Sequence, residues 1–342
     1  MRDVPASAED GTVRVAAVQA ASDFLSRQGS TRRACELIRE AGANGAEFIA
    51  FPEGFIPAHP GWFHLHPDTH PVSTELSLAL FKNAVEVPGA ETAALGAAAR
   101  DAGAYVVIGV CERVRGTDGT LFNTQVYLGP DGAVIGKHRK LMPTLGERLV
   151  HASGHGDTFG TFPTRFGRAS ALICGENQNP LAVFALAAEH TRVHGMSWPP
   201  HFNQGVRDMA DLVELTSRAF ATMAKSFVVS ACGVIDETMI AQLQASDADE
   251  AFLRIPEVCG GSLIVAPNGA VLAGPLPGGQ QGIVFADLDL EAPVRAKLHQ
   301  DFAGHYNRAD VFQLRVSRYA PQLYGEASPM DGAAPTGENA DG

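Results

Sequence analysis

Three short strings put chemically capable side chains where apolar runs end. Phe51-Pro52-Glu53-Gly54-Phe55 supplies a carboxylate, His138-Arg139-Lys140-Leu141-Met142-Pro143-Thr144 an ammonium, and Leu172-Ile173-Cys174-Gly175-Glu176-Asn177 a thiol. In α/β architectures, sites gather beyond the carboxyl ends of strands, so three such ends can bring a base, a cation and a nucleophile to one rim. Thiol attack on an unsaturated carbon needs that set. A free thiol with a pKa of about 8.5 is only a few per cent ionised at neutral pH. A neighbouring ammonium favours the thiolate, a carboxylate can take its proton, and a cation with backbone N–H groups can meet the charge that develops on the substrate.

Taken singly, each residue has a plainer reading. A cysteine at a strand end is commonly a small buried hydrophobe, and Cys232, which lacks comparable neighbours, is read as core. A lone glutamate caps a helix or sits in solvent, and a lone lysine lies on the surface. The order and company of the three strings favour a functional reading for Glu53, Lys140 and Cys174.

The elements that must position them follow from periodicity. Runs at 13–20 and 47–53 read as strands, and 31–43, with Ala34, Leu37, Ile38 and Ala41 on one face, reads as a helix. This β-α-β opening predicts parallel pairing with a crossover helix. Residues 90–102 read as a helix and 105–114 as a strand. Segments 121–128 and 133–140 flank Gly129-Pro130-Asp131-Gly132, a turn that makes the sheet mixed. Strands are expected at 161–166 and 169–174, hinged at Gly167, then at 193–198, 227–235, 261–266 and 282–288. Helices are expected at 180–190, with Pro180 near its start, and at 207–225. The polar segment 236–257 reads as a surface insertion. With no internal repeat and no dividing linker, the expected organisation is a flexible segment over 1–11, one domain over 12–324, and a disordered tail over 325–342 whose Gly, Ala, Pro, Ser and acidic composition cannot bury enough surface.

The 342 residues carry a net charge of -12, which argues against a nucleic-acid or anionic-membrane partner. Five scattered cysteines without a C-x-x-C pair point away from zinc clusters and a disulfide framework. No stretch has the length of a membrane span and the N-terminus has no signal-like apolar core, so the expected address is cytoplasmic. His59, His64, His66 and His70, interspersed with prolines in what reads as a loop, have no standard metal spacing, and no metal is expected.

The three strings, in this order, resemble the nitrilase superfamily of carbon–nitrogen hydrolases, over residues 13–316. Cys174-Gly175-Glu176-Asn177 followed by Asn179-Pro180-Leu181 looks like the nitrilase branch proper. Glu147-Arg148-Leu149, Gly304-His305-Tyr306 and Asp310-Val311-Phe312 agree with that branch. The resemblance implies Glu53 as general base, Lys140 as electrostatic stabiliser, Cys174 as nucleophile and Glu147 as a second glutamate close to them, which in sequence could equally be a structural ion pair. It selects Lys140 over Lys137, because the family lysine directly precedes the Leu-x-Pro-Thr segment. It also implies an α/β fold, a single α-β-β-α sandwich of two mixed sheets with helices on both outer faces. A homo-oligomer is implied too, dimer-based through the helices beside the nucleophile and in some members spiral.

The implied reaction is hydrolysis of a small-molecule nitrile to carboxylic acid and ammonia through a thioimidate and then a thioester, with no cofactor. An amidase or carbamoylase could use the same residues, and a catalytically silent binding protein is the reading from another class, which the intact Glu53, Lys140 and Cys174 set argues against. Trp62, Phe63, Trp198, His201 and Phe202 are candidate pocket lining. Many nitrilases carry Trp directly after the nucleophile, whereas this chain has Gly175. The wider space favours arylaliphatic or medium-sized aliphatic nitriles over cyanide, since buried apolar surface contributes roughly 25 cal/mol per Å².

Overall fold

A computed structural model describes residues 11–202, 205 and 208–322. The expected tail, residue 207 of the expected helix, and the N-terminal segment other than Gly11 lie outside the described residues.

The first sheet is built from β1 (Thr12–Gln19), β2 (Phe48–Ala50), β3 (Tyr105–Arg113), β4 (Leu121–Leu128), β5 (Val134–Arg139) and β12 (Gly282–Asp289), in the order β12-β1-β2-β3-β4-β5. The second comprises β6 (Thr161–Thr164), β7 (Gly167–Ile173), β8 (Thr191–Trp198), β9 (Phe227–Cys232), β10 (Leu263–Val265) and β11 (Val271–Ala273), in the order β11-β10-β9-β8-β7-β6. Both are mixed. β1, β2 and β3 run parallel, as do β7, β8 and β9, while the remaining pairs are antiparallel. Each parallel core sends its strand ends in one direction, which collects chemistry on a single rim.

The helices α1 (Arg27–Ala43) and α3 (Ala90–Ala102) cover the outer face of the first sheet. Ala34, Ile38 and Ala41 of one and Leu95, Ala98 and Ala99 of the other pack on Val18, Ile49, Ile108 and Val126. Between the sheets, Val15, Phe48, Ala50 and Val107 meet Ala171, Val193, Val229 and Ile264. The outer face of the second sheet packs on α4 (Pro180–Ala188) and α5 (Met209–Ala224) through Val183, Leu186, Val213 and Phe220. The result is the expected α-β-β-α sandwich. No helix among the described residues is long and apolar enough to cross a membrane.

Several boundaries differ from the sequence reading. The second strand stops at Ala50 rather than Glu53. Phe51 still donates to the Val107 carbonyl at 2.8 Å, but Pro52 has no N–H to continue the ladder and Gly54 turns the chain at φ +59. The strands expected to end at residues 174 and 235 end at Ile173 and Cys232. The first helix begins earlier, at Arg27, because Ser26 caps it by accepting from the Gly29 N–H.

The histidine- and proline-rich stretch contains a 3-10 turn, Gly61–His64, and a helix, α2 (Pro71–Asn83), with proline at its first turn. Residues 236–257 are not a surface insertion. They form α6 (Glu237–Leu243) and α7 (Asp247–Leu253), capped by Asp236 and Ser246. Met239, Ile240, Leu243, Phe252 and Leu253 are buried in a cluster with Phe24, Trp62, Leu76 and Leu80. A short last helix, α8 (Ala292–His299), follows β12.

Candidate active site

The nucleophile candidate sits on a sharp elbow. β7 ends at Ile173, and Cys174 opens a 3-10 turn, Cys174–Gln178, with φ at +54. Left-handed backbone costs a non-glycine residue about 1–2 kcal/mol, so surrounding bonds must hold it. Asn177 Nδ2 donates to the carbonyls of Cys174, at 2.9 Å, and Leu172, at 3.3 Å. Asn177 Oδ1 is 2.8 Å from His194 Nε2, and His194 Nδ1 is 2.7 Å from Ser170 Oγ. The His194 ring stacks on Phe220 with centroids 3.8 Å apart.

Glu176 joins this elbow to the strand that carries the ammonium. Its carboxylate accepts from the N–H groups of Leu141, at 2.7 Å, and Ile173, at 3.1 Å, and lies 3.0 Å from His138 Nε2. The nucleophile and Lys140 are therefore fastened together one residue away from each.

Glu53 is placed by both sheets. Its side chain reaches the site from the turn after β2, while its N–H donates across to the Trp198 carbonyl at the end of β8, at 3.1 Å. Lys140 follows β5, and its N–H bonds the Asn123 carbonyl at 2.8 Å. The Lys140 ammonium donates to Glu53 Oε1 at 2.8 Å and to Glu147 Oε2 at 2.5 Å. Asn123 Nδ2 bridges the same two carboxylates, 2.7 Å from Glu53 Oε1 and 2.7 Å from Glu147 Oε1. Glu147 also accepts from the Thr144 N–H at 2.8 Å and lies 3.2 Å from His151 Nδ1.

The two carboxylates thereby acquire opposite characters. All the acceptor positions of Glu147 are engaged, and its pKa lies well below the ordinary value. Burial would raise it, but the Lys140 charge and the His151 hydrogen bond outweigh that. Glu53 Oε2 is buried without a hydrogen-bond partner. Burial pushes Glu53 up to about 7 against the Lys140 charge, with the Glu147 charge adding to the rise. Glu147 is a fixed anion. Glu53 is a proton acceptor poised near neutrality.

Burial drives the Cys174 thiol well above its usual range, and the Glu53 charge adds to this. Lys140 and the Gly175 N–H pull in the other direction. Two carboxylates facing one ammonium leave the cluster net negative, so the thiol rests protonated. The ammonium alone does not ionise it, so a reaction at this sulfur would need a proton acceptor, a role open to Glu53. Burial also opposes the Lys140 charge, but Glu53, Cys174 and Glu147 hold it firmly protonated.

Lys137 is taken up elsewhere, pairing with Glu112 at 2.5 Å. Glu53, His59 and Glu147 bring ligand atoms within 4.8 Å of one another, a spacing that could suit a cation. The Lys140 ammonium already bonds both carboxylates, and a metal ion there would meet its charge directly.

The pocket candidates divide. Phe202 packs against the cluster that contains Cys174. His201 is buried next to Gly61, where a β-carbon would come within 2.4 Å of its Nε2. Trp198, at the end of β8, is buried in the Cys174 cluster. Trp62 is fully buried in a different cluster, edge-on to Phe24 at 6.4 Å, with Phe63 half-buried beside it. Gly175 is exposed, and a β-carbon there would meet nothing within 4 Å.

Sequence reading did not single out Asn123, Glu176, His151 or His194 as part of the site. The available signal for Asn123 was alternation in β4. Asn123, Gln125 and Tyr127 occupy every second position of a run that is otherwise apolar except for Thr124, and the latter two bond to the second sheet through Leu172, Ser197 and Ala171.

Two mixed sheets between helices, with a glutamate, a lysine and a cysteine close to one another, are a fold and a residue set that can be compared with known proteins. The carbon–nitrogen hydrolase family matches residues 14–297, and the chain belongs to that family. It is 36% identical over 326 residues to a protein named Nitrilase 3 from an unknown prokaryotic organism, covering 94% of this chain and 96% of that one. It is 37% identical to an aliphatic nitrilase of Sinorhizobium fredii, covering 89% and 95%. Among solved structures, the C. elegans NitFhit protein superposes with a TM-score of 0.68 at 18% identity, over 92% of this chain and 69% of that one. The fold is the one expected.

Proposed function

We propose that this protein is a nitrilase that converts an organic nitrile and two waters to a carboxylic acid and ammonia. The observation that carries the reading is the division of labour around Lys140, one oxygen of Glu53 tethered to the ammonium and the other free. Relatives named as nitrilases at 36% and 37% identity support nitriles over amides. In this reading Cys174 Sγ adds to the nitrile carbon as its proton passes to Glu53, and charge on the substrate nitrogen meets Lys140. Glu53 returns that proton to the nitrogen, which completes the thioimidate, and as a carboxylate again it takes a proton from the water that adds to the carbon and passes it to the nitrogen. Ammonia leaves with the protons it has gained, and a second water cleaves the thioester. The open space at Gly175 supports arylaliphatic or medium-sized aliphatic nitriles.

We further read the protein as a cytoplasmic homo-oligomer. All five cysteines are buried free thiols, which suits a reducing compartment. A groove of about 770 Å³, lined by Leu181 and Phe184 of α4, Met223, Tyr306, Val311 and Phe312, leaves large apolar side chains in solvent beside the nucleophile elbow. Such a surface fits a second copy.

The deciding experiment measures ammonia release from a panel of nitriles and their matched amides, with mass spectrometry of the trapped intermediate. Nitrile turnover with an adduct on Cys174 is expected. Turnover of amides alone would replace the reading with an amidase, an adduct on Cys111 or Cys232 would displace the nucleophile, and no turnover of either class would favour a silent binding protein.

A further inference from the structure

A buried polar chain runs from the active site into the first sheet. His151 lies one turn after Glu147, its N–H bonded to the Glu147 carbonyl at 2.8 Å, and the next residue, Ala152, donates to the Leu121 carbonyl at the start of β4 at 2.8 Å. The ring is thereby fixed from both sides. Its Nδ1 lies 3.2 Å from Glu147 Oε1 and its Nε2 lies 3.3 Å from Cys111 Sγ in β3. His151 is 5% exposed and Cys111 1%, so neither polar contact is exchanged with bulk solvent.

The protons on this chain can be assigned by chemistry. An ionised Glu147 oxygen only accepts, so Nδ1 must carry hydrogen. A neutral ring then presents a lone pair at Nε2, which the Cys111 S–H meets. Burial raises Cys111 far above the usual thiol range, so the sulfur keeps its hydrogen. Burying an imidazole costs free energy unless both nitrogens are paired, and here one of the two partners is a carboxylate that also holds the Lys140 ammonium.

We propose that His151 is a positioning residue, its ring held between Cys111 and Glu147 and its Nδ1–H helping to fix the Glu147 carboxylate and thereby the Lys140 ammonium where charge develops on the substrate. This rests on the nitrilase reading for the reaction but not for the geometry. Without the imidazole, Glu147 Oε1 retains only Asn123 Nδ2, a group that Glu53 also draws on. The other oxygen keeps the Thr144 N–H and the Lys140 ammonium, so the carboxylate stays bound but loses one of its four hydrogen bonds, and the ammonium it holds is fixed less firmly.

Two amide substitutions separate this role from packing. The side-chain nitrogen of asparagine falls near the position of Nδ1 and that of glutamine near Nε2. His151→Asn keeps the donor to Glu147 and His151→Gln loses it, although glutamine is nearer to histidine in volume. With a nitrile substrate, kcat is expected to fall about tenfold or more in His151→Gln, matching loss of a hydrogen bond to a charged group, with KM within about twofold. His151→Asn is expected to retain most of the rate. Equal losses in both variants, or a wild-type rate in His151→Gln, would overturn the proposal.

A second readout needs no turnover. The alkylation rate of Cys174 by iodoacetamide, followed on its peptide, is expected to rank wild type and His151→Asn together and above His151→Gln, because a less firmly held ammonium supports the thiolate less. Should the wild type hydrolyse no nitrile, the nitrilase reading fails while this ranking still tests the positioning role. Should nitriles turn over without the ranking, the positioning role fails alone. If His151→Gln does not fold, Cys111→Ser and Cys111→Ala decide the matter. Serine keeps a donor for Nε2 and is expected to preserve kcat better than alanine, and equal rates would overturn the proposal.

Discussion

Lys140 Nζ donates to Oε1 of Glu53 at 2.8 Å and leaves Oε2 of the same carboxylate without a partner. One oxygen fixes the group and the other is free to take a proton. With burial raising Glu53 to about 7, the base form exists above that pH and the inactive acid form below it. The expected kcat/KM therefore rises with pH through about 7 and stays level above it, since the Cys174 thiol and the Lys140 ammonium both hold their protons well into the alkaline range. Glu53→Gln should lower kcat/KM by about 10²–10⁴ and remove the acid limb. An acid limb that persists in Glu53→Gln would assign it to another group.

Asn123 donates from a single nitrogen to both carboxylates. Asn123→Asp removes that donor and places a third carboxylate beside them. Both changes disfavour the ionised form of Glu53, so the acid limb should move to higher pH. Rates at alkaline pH should recover more of the wild-type value than rates at neutrality. A pH–rate profile recorded from 5 to 10 tests this, and a limb that stays in place or moves down would show that Asn123 does not govern the Glu53 titration.

The residues proposed to react were legible through the order of the three strings that carry them and the family those strings resemble, since each taken singly had an ordinary structural reading. Their partners were not. Glu176 and Asn177 read as parts of a string, and only the folded chain shows one bonding the strand end that carries Lys140 and the other holding the Cys174 carbonyl. His151 lies beyond any periodic segment, and its two contacts come from residues 4 and 40 positions away. The seven-residue helices α6 and α7 span too few turns for periodicity to register, although their Met239, Ile240 and Leu243 are buried. The parallel pairing of the first strands and the mixed character of the sheet were recoverable from the β-α-β opening and the Gly-Pro-Asp-Gly hairpin, because those patterns fix pairing locally, whereas the layers followed only from the family resemblance.

The apolar groove beside α4 gives an expectation about assembly. Leu181 is 63% exposed and Phe312 is 74% exposed, values unusual for side chains of this size unless another surface covers them. Leu181→Glu with Phe312→Glu should shift the protein toward monomer in light scattering coupled to size exclusion, while a monomeric chain should remain folded by circular dichroism because neither side chain belongs to the core clusters. A wild-type protein that is already monomeric would end the argument for this interface.

Gly175, the residue after Cys174, is exposed. A β-carbon built there meets nothing within 4 Å, and its backbone does not require a left-handed glycine. Gly175→Trp should therefore change unfolding free energy by no more than about 0.5 kcal/mol, as for other exposed substitutions. The indole would instead fill space next to Cys174. If that space accepts the substrate's side chain, kcat/KM for phenylacetonitrile should fall more than for a short dinitrile, mainly through KM, because the larger group loses the volume it would bury. Cyanide as the best wild-type substrate would refute the wide-pocket reading. An unchanged substrate ranking in Gly175→Trp, with stability also unchanged, would show that residue 175 does not shape the pocket.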